Sequence, residues 1–260
     1  MFEAWAPGPE GCTVGVVRIP GGMLFFKNRD RAGSYLAERV TAWQSTPEVH
    51  LLRGFNLQTG ALEGVSIGLN RHRVCVANTH VLSTPDMTYD LLCEALVQQV
   101  RQRDDVPRLV AAFMARHTTQ GGRILVASPE WAFLVEVLQK QFEIEAIADS
   151  FAMTNTFSLL RYRTARPGVR EDSSLSRLKV ANAGLGTIAS AGALKALLRS
   201  HEPEKGELSI CNHRQDGGGT ESSHIIHIQG EYAAWSYLSG FPCENDYHTA
   251  QLFPGKGGGS

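Results

Sequence analysis

Two short apolar runs open the patterned part of the chain and meet at a glycine-containing turn. Residues 12–19 read CTVGVVRI and residues 22–28 read GMLFFKN, with Pro20-Gly21-Gly22 at the junction. Apolar runs separated by such a turn predict a β-hairpin. A second pair, GVSIGLN and RVCVANTHV around Asn70-Arg71-His72, predicts a second hairpin.

The apolar positions then change to a helical period. In TYDLLCEALVQQVRQ (88–102) they fall on one face, and Thr88 is a candidate cap. DVPRLVAAFMARH (105–117) carries Pro107 in its first turn, where proline is compatible with a helix. The spacing therefore predicts two consecutive helices.

Apolar segments at strand spacing return after these helices. Three of them lie in RILVASPEWAFLVEVLQKQFEIEAI (123–147), and FAMTNTF (151–157) adds a short fourth. We predict that all four are β-strands and that the first three are antiparallel neighbours.

The rest of the chain repeats the order of helices followed by strands. DSSLSRLKVANAG (172–184) predicts a helix with Asp172 or Ser173 as its cap and Gly184 as its stop. A second helix is predicted over residues 190–200. The segments ELSICNH (207–213), SSHIIHIQG (222–230) and EYAAWSYLSG (231–240) predict the closing strands.

The order of elements predicts an α+β fold. Most neighbouring strands are joined by short turns and not through helices, which favours antiparallel sheets. Two mainly antiparallel sheets packed face to face and covered by helices give a four-layer αββα sandwich. We expect one domain over residues 12–253 and a flexible tail over residues 254–260, which end in KGGGS.

Composition and charge exclude several classes of function. The chain has 43% hydrophobic residues, 20% charged residues and a formal net charge of −1, without a basic stripe. We therefore expect neither nucleic acid nor a membrane surface as a partner. No apolar stretch approaches the roughly 18 residues that span a bilayer, and no secretory signal is present, which predicts a cytoplasmic protein.

Five cysteines are scattered along the chain without a CxxC pair. This spacing argues against a disulfide framework and against a structural zinc site, and it favours reduced thiols.

Cys12 is the first candidate for chemistry. By itself it is typical of a small buried hydrophobe in a strand. Cleavage of the Gly11–Cys12 bond would give this residue both a thiol and a free α-amine. Because the amine has a reference pKa of about 7.7–8.0, it could act as general base for its own thiol. Residues 1–11 would then be a propeptide.

The run Lys27-Asn28-Arg29-Asp30 ends the strand that is predicted to pair with the Cys12 strand. Such a run is typical of a solvated strand end. Hairpin pairing would nevertheless bring it near Cys12. Asp30 could then hold an α-ammonium, and Lys27 or Arg29 could lower the pKa of the thiol.

These features together resemble the N-terminal nucleophile amide hydrolases. The resemblance rests on Cys-Thr, an apolar strand, a glycine-containing turn, a second strand and a basic-Asn-x-Asp motif. It continues through GLNRHRVCVANTHV, GGRILVASPEWAFLVEV with its acidic Glu136, MTNTF, SSLSRLKVA, SICNH and GFPCENDY. The branch that it resembles contains choloylglycine hydrolases and acyl-CoA:6-aminopenicillanate acyltransferases.

The resemblance implies an αββα fold and self-cleavage between Gly11 and Cys12. It also implies a role for individual residues. Cys12 would be nucleophile and base, Asp30 would orient its α-amine, and Asn155 would donate to the oxyanion. Arg177 would lie near the nucleophile and help to orient the site. Without the resemblance, Asn155 would be taken as a turn residue and Arg177 as a charge on a helix surface.

The chain departs from the family pattern in two places. The first basic position, usually arginine, is Lys27, which keeps the charge but lacks the planar bidentate fork. The second oxyanion donor is either His80 or Asn78, which lie two residues apart on one strand face.

Histidine spacing does not predict a metal site. His224 and His227 are three residues apart on a predicted strand and should point to opposite faces. Cys211-Asn212-His213 could supply a Cys/His pair, but side chains along a strand diverge. We therefore expect no metal and no cofactor.

The sequence predicts a self-processing cysteine amidohydrolase. It would cleave a non-peptide or isolated amide bond of a small acyl-amide through a thioester on Cys12. One alternative is an acyltransferase, in which an amine takes the acyl group. Another is a non-catalytic binding protein with the same fold. A homo-oligomer is compatible with the sequence.

Overall fold

A computed structural model of the chain describes residues 11–31, 43–54, 63–161 and 169–253. Within these ranges the chain forms two antiparallel sheets and four helices. The predicted tail at residues 254–260 and most of the predicted propeptide lie outside the described residues.

The first sheet carries the Cys12 hairpin. Its strands are β1 (Gly11–Ile19), β2 (Gly22–Arg31), β10 (Phe151–Met153), β11 (Gly219–Gln229), β12 (Tyr232–Ser239) and β13 (His248–Gln251). The order across the sheet is β10-β1-β2-β11-β12-β13. The hairpin strands β1 and β2 are therefore interior strands, each paired on both sides.

The second sheet has seven strands in sequential order. They are β3 (Trp43–Ser45), β4 (Val49–Arg53), β5 (Val65–Asn70), β6 (Cys75–Leu82), β7 (Thr119–Ala127), β8 (Ala132–Gln139) and β9 (Gln141–Ile147). Each strand pairs antiparallel with its neighbour in the chain. This includes β6 and β7, which are joined through residues 83–118 and not by a short turn.

Three apolar clusters separate four layers. The helices are α1 (Asp90–Gln99), α2 (Asp105–Arg116), α3 (Val169–Leu185) and α4 (Ala191–Leu198). One cluster lies between the two sheets and includes Cys12. A second joins the seven-stranded sheet to α1 and α2, and a third joins the six-stranded sheet to α3 and α4. The predicted αββα sandwich is confirmed.

The hairpins and helices follow the sequence pattern, but some boundaries differ. Helix α3 begins at Val169, so Asp172 and Ser173 lie inside it and do not cap it. The predicted strand ELSICNH is wrong: this segment forms turns, with a single bridge between His213 and Gly219. Its backbone groups bond to other segments, such as Cys211 N–H to Ser200 O at 3.0 Å.

None of the helices in the described ranges combines the length and the apolar character needed to cross a bilayer.

Candidate active site

The end of the β1–β2 hairpin sets the faces of the site. Cys12 pairs with Arg29, and Gly11 pairs with Asp30. Cross-strand partners share a face and successive residues alternate. Cys12 therefore belongs to the face that packs against the other sheet, where it is 1% exposed. Gly11 and Asp30 share the face that is covered by the helices.

The charged run at the end of β2 is buried. Residues 27–31, Lys-Asn-Arg-Asp-Arg, are each at most 2% exposed. The interpretation of this run as a solvated strand end is therefore wrong. Burial of four ionisable side chains is costly unless each finds partners, and the surrounding elements supply them.

Arg177 on α3 reaches the backbone of Cys12. Its Nη1 donates to Cys12 O at 2.6 Å and to Thr13 Oγ1 at 3.1 Å. Its Nε donates to Ser173 Oγ at 3.3 Å, one helical turn back. The guanidinium is thus a buried clamp on the first two residues after the predicted cleavage point, and not a charge on a helix surface.

Asn155 holds the nitrogen of Cys12. Its Oδ1 accepts from Cys12 N–H at 2.8 Å and from Arg177 Nη2 at 3.0 Å. Its Nδ2 donates to His80 O at 2.6 Å, which ties the residue to the second sheet. Asn155 therefore connects β1, α3 and β6 at a single point.

Asp30 is a buried carboxylate with few partners. Oδ1 accepts from Thr220 Oγ1 at 2.8 Å, and Oδ2 lies 3.7 Å from Arg177 Nη1. Oδ2 accepts no hydrogen bond from the described residues. Burial raises the pKa of Asp30, and the positive charge of Arg177 opposes this shift.

The same burial shifts the pKa of Arg177 in the opposite direction. Burial lowers the pKa of its guanidinium, while the neighbouring Asp30 and Cys12 act to raise it. The site is therefore an electrostatically coupled group in which the charges of helix and hairpin depend on each other.

Gly11 faces this group closely. A Cβ at position 11 would lie 3.0 Å from Asp30 Oδ2 and 3.4 Å from Arg177 Nη2. A side chain here would press on both charged groups. The residue before Cys12 is therefore packed against the groups that hold Cys12.

Lys27 connects the two sheets. The β5–β6 ladder pairs Ile67 with Ala77, and the next positions along the strands are Ser66 and Asn78. Lys27 Nζ lies there, within 2.8–3.1 Å of the carbonyl and side-chain oxygens of both residues. Ser66 and Asn78 are not paired in the β5–β6 ladder, and the ammonium of Lys27 lies between them. Its N–H donors are therefore directed into the second sheet.

The two candidates for a second oxyanion donor are placed differently. Asn78 Nδ2 donates to Val65 O at 2.9 Å and to Asp90 Oδ1, so both amide hydrogens have acceptors. His80 contributes its backbone carbonyl to Asn155, and its ring Nε2 lies 3.3 Å from Ser83 Oγ. Of the two residues, His80 is the one in contact with a residue that touches Cys12.

Two supporting residues were not singled out from the sequence. Thr220 donates to Asp30, and Glu221 pairs with Arg29 at 3.0 Å and Arg31 at 3.2 Å. Both lie at the start of β11, which pairs with β2. The signal in the sequence was the polar start of this strand, GTESS, before the apolar HIIHI.

The histidines of β11 lie on opposite faces. His224 is buried 3.1 Å from Ser222 Oγ, and burial lowers its pKa to about 3. His227 instead has its ring 5.2 Å from that of Tyr232. This arrangement agrees with the alternation expected along a strand.

A second buried ion pair lies in the other sheet. Arg123 of β7 and Glu136 of β8 are cross-strand partners, with Nε and Oε1 2.9 Å apart. Glu136 also accepts from the backbone N–H groups of Ser158, Leu159 and Leu160 at 2.8–2.9 Å. The carboxylate thus fixes the loop that follows Asn155.

Comparison with solved structures gives the fold. A mutant form of the conjugated bile acid hydrolase from Clostridium perfringens is similar with a TM-score of 0.56 and 8% identity, over 93% of this chain and 92% of that chain. An N-acylethanolamine-hydrolyzing acid amidase ortholog from Caenorhabditis elegans is similar with a TM-score of 0.52 and 13% identity, over 83% and 92%. A scan against protein-family models and a search of curated proteins gave no match. The chain therefore shares its αββα fold with these two structures, and the fold that the resemblance in sequence implied is confirmed.

Proposed function

We propose that the chain is a self-processing cysteine amidohydrolase that acts through a thioester on Cys12. One observation carries the proposal: the backbone nitrogen and carbonyl of Cys12 are both held by side chains from distant parts of the chain. Asn155 holds the nitrogen at 2.8 Å and Arg177 the carbonyl at 2.6 Å. Backbone groups in the middle of a strand would be satisfied by its neighbours. Side-chain partners at the predicted cleavage point favour a nitrogen that becomes a functional amine.

Processing is the first step of the proposal. The thiol of Cys12 attacks the carbonyl of Gly11, the Gly11–Cys12 C–N bond breaks, and a Gly11 thioester forms on sulfur. Water then hydrolyses the thioester, which releases residues 1–11 as an acid and leaves the α-amine of Cys12. Asn155 Oδ1 already accepts from this nitrogen, so the new amine would keep its partner.

Substrate cleavage repeats the chemistry with an external amide. The α-amine takes the thiol proton, sulfur attacks the substrate carbonyl, and the leaving amine receives the proton. The remaining amide hydrogen of Asn155 would donate to the oxyanion, because only one is directed to His80 O. A preorganised donor of this kind is worth roughly 10²–10³ in rate.

Asp30 and Lys27 have positioning roles in this proposal. Asp30 compensates the charge of Arg177, which holds the Cys12 carbonyl. Lys27 sets the spacing of the two sheets on which Cys12 and His80 lie. Neither role requires contact with the substrate.

The substrate class in this proposal is a small acyl-amide. The two similar structures are a hydrolase of conjugated bile acid and an amidase that hydrolyses N-acylethanolamine. These descriptions support a bond type and not a particular acyl group. We therefore propose an isolated amide of a small molecule as the bond that is cleaved.

Intact-mass analysis tests the proposal. The wild-type chain should lose residues 1–11, whereas Cys12→Ala should keep them. Cys75→Ala is the matched control, because Cys75 is a buried cysteine of the same intersheet cluster and should leave processing unchanged. Processed wild type and Cys12→Ala should then be compared on a panel of N-acyl amino acids and N-acyl amines, with and without an added amine acceptor.

Release of free acid by wild type alone supports the hydrolase. Transfer of the acyl group to the added amine at the expense of the free acid would point to the acyltransferase. If wild type keeps residues 1–11 and matches Cys12→Ala on every amide, the proposal is wrong.

A further inference from the structure

Four potential metal ligands meet far from Cys12 in sequence. His201, Cys211, His213 and Cys243 each offer one ligand atom, and these atoms all lie within 4.8 Å of one another. Cys211 is buried and the other three are partly buried. We call this group the Cys211 cluster. The absence of a CxxC pair hid it in the sequence, because its members come from three separate segments.

The distances between the ligand atoms of the cluster fit tetrahedral coordination of one ion. His213 Nε2 lies 3.2 Å from His201 Nε2, 3.5 Å from Cys211 Sγ and 3.4 Å from Cys243 Sγ. With Zn–N of about 2.0–2.1 Å and Zn–S of about 2.3 Å, a tetrahedron has edges of about 3.3 Å between nitrogens and about 3.6 Å between nitrogen and sulfur. Three edges of the cluster therefore match the ligand shell of one ion.

The expected divergence of Cys211 and His213 does not occur. That expectation assumed a strand, but the segment forms turns, and both side chains reach the same point. His213 is held there by stacking on Phe241, with ring centroids 4.1 Å apart, and by its N–H bond to Gly206 O at 3.0 Å.

Hydrogen bonds to backbone carbonyls fix the three segments next to the ligands. Cys211 N–H donates to Ser200 O, the residue before His201, at 3.0 Å. Arg199 Nε donates to Pro242 O, the residue before Cys243, at 2.8 Å. These hydrogen bonds do not involve the side chains of the four ligands. The ligand positions are therefore fixed by the surrounding structure, as a preorganised site requires.

We propose that the Cys211 cluster binds one Zn²⁺ with two thiolates and two imidazoles. Two cysteines and two histidines in tetrahedral spacing favour zinc, and four protein ligands leave no open position, so the site would be structural. Binding releases the two thiol protons and replaces close contacts between donor atoms by bonds to the ion. This proposal differs from the sequence analysis, where the spacing of the histidines led us to expect no metal site.

The ion would stabilise the supports of the Cys12 site. Asn212, between two ligands, donates its N–H to Thr220 Oγ1 at 2.9 Å, and Thr220 donates to Asp30. Ile210, beside Cys211, accepts from Asn28 Nδ2 at 3.0 Å. The metal-bound segment therefore packs on the end of β2 that carries Asp30.

Metal analysis and cobalt spectroscopy test the site. The purified full-length chain, expressed with zinc present, should hold about one Zn²⁺ per chain by elemental analysis. Chelator-treated wild type, titrated with Co²⁺, should develop thiolate charge-transfer and tetrahedral d–d absorption with one equivalent. Cys243→Ala should lose the metal and the absorption. Cys93→Ala, which removes a buried cysteine outside the cluster, should keep both.

Stability gives a second measurement that does not depend on the variants folding. Removal of zinc from wild type should lower Tm by about 5–10 °C, as expected for loss of a ligand whose concentration is well above its Kd. Readdition of Zn²⁺ should restore the original Tm, and Cys93→Ala should respond in the same way.

Two results would overturn the proposal. The first is wild type that neither holds zinc nor gives a cobalt thiolate band or a change in Tm. The second is a Cys211–Cys243 disulfide, detected by peptide mapping, in protein that was purified without oxidant and is as stable as zinc-treated protein.

Discussion

Two of the buried carboxylate–guanidinium pairs among the described residues, Arg123–Glu136 and Arg177–Asp30, are built differently. Glu136 accepts from Arg123 at 2.9 Å and from three successive backbone N–H groups, so both of its oxygens are satisfied. Asp30 has one hydroxyl donor and an arginine nitrogen at 3.7 Å. The Glu136 carboxylate, whose two oxygens are both hydrogen-bonded, has the features of a structural element. The Asp30 carboxylate, which has fewer hydrogen-bond donors, lies beside the predicted cleavage point.

The difference has a physical meaning. A buried charge that is fully hydrogen-bonded gives rigidity and depends strongly on its partner. A buried carboxylate with few partners costs stability, and such groups concentrate where their charge is used. We therefore expect stability to depend mainly on the Glu136 pair and activity mainly on the Asp30 pair.

Glu136→Gln should show the largest effect on stability. It leaves the guanidinium of Arg123 buried without a counter-ion, and breaking such a pair typically costs about 3–5 kcal/mol. Urea denaturation would measure the loss in the free energy of unfolding. Below the transition, the folded fraction should still process at the Gly11–Cys12 bond, and failure to do so would remove the distinction between the pairs.

Asp30→Asn should slow processing and amide cleavage by roughly 10²-fold, the scale of a lost charge that supports acid–base chemistry. The expected cost in stability is smaller, about 1–2 kcal/mol, because Arg177 keeps hydrogen bonds to Cys12, Thr13 and Asn155. A time course by intact mass, beside urea denaturation, measures both. A loss of stability equal to that of Glu136→Gln, with unchanged rates, would reverse our assignment of the two pairs.

Gly11→Ala should slow processing about three- to tenfold, with little change in Tm. The added Cβ would lie 3.0 Å from Asp30 Oδ2, closer than ordinary contacts, and would displace the carboxylate from Arg177. Gly186→Ala is the matched control, since a Cβ there meets no atom within 4 Å. Equal processing by both variants would show that Asp30 tolerates displacement.

The pH dependence of stability should carry the smallest signal. Burial raises the pKa of Asp30 from its ordinary value of 3.8. A carboxyl whose pKa is higher in the folded chain contributes stability below its unfolded pKa and loses it as the pH rises through the folded pKa. The free energy of unfolding of wild type, relative to Asp30→Asn, should therefore decrease as the pH rises above 3.8. A flat difference across urea titrations at several pH values would contradict the raised pKa.

The sequence predicted the fold where local patterns are strong. The β1–β2 and β5–β6 hairpins and the helices α1 and α2 have clear periods and turn residues, which determine structure locally. Strands β3 and β13 were not predicted because they are short and largely exposed, and so carry little alternation. The apolar centre of ELSICNH predicted a strand. The segment is instead buried as turns by contacts with distant segments, and the local sequence pattern does not contain this information.

The site was predictable only in part, for a related reason. Cys12 and Asp30 follow from a hairpin register, since Gly11 pairs with Asp30. The contact of Arg177 with Cys12 spans 165 residues and was expected only from the resemblance to a family. The Cys211 cluster joins three segments in the same way, so its ligands are not recognisable from spacing in the sequence.

The position of Lys27 has a consequence for motion in the sandwich. Its ammonium crosses from the first sheet to four oxygens of the second. Shear of one sheet over the other would withdraw this charge into the apolar intersheet layer, at a cost of several kcal/mol. Such sliding is thereby suppressed. In the proposed enzyme, access of a ligand to Cys12 would then depend on hinge-like movement of connecting segments while the two sheets stay in register.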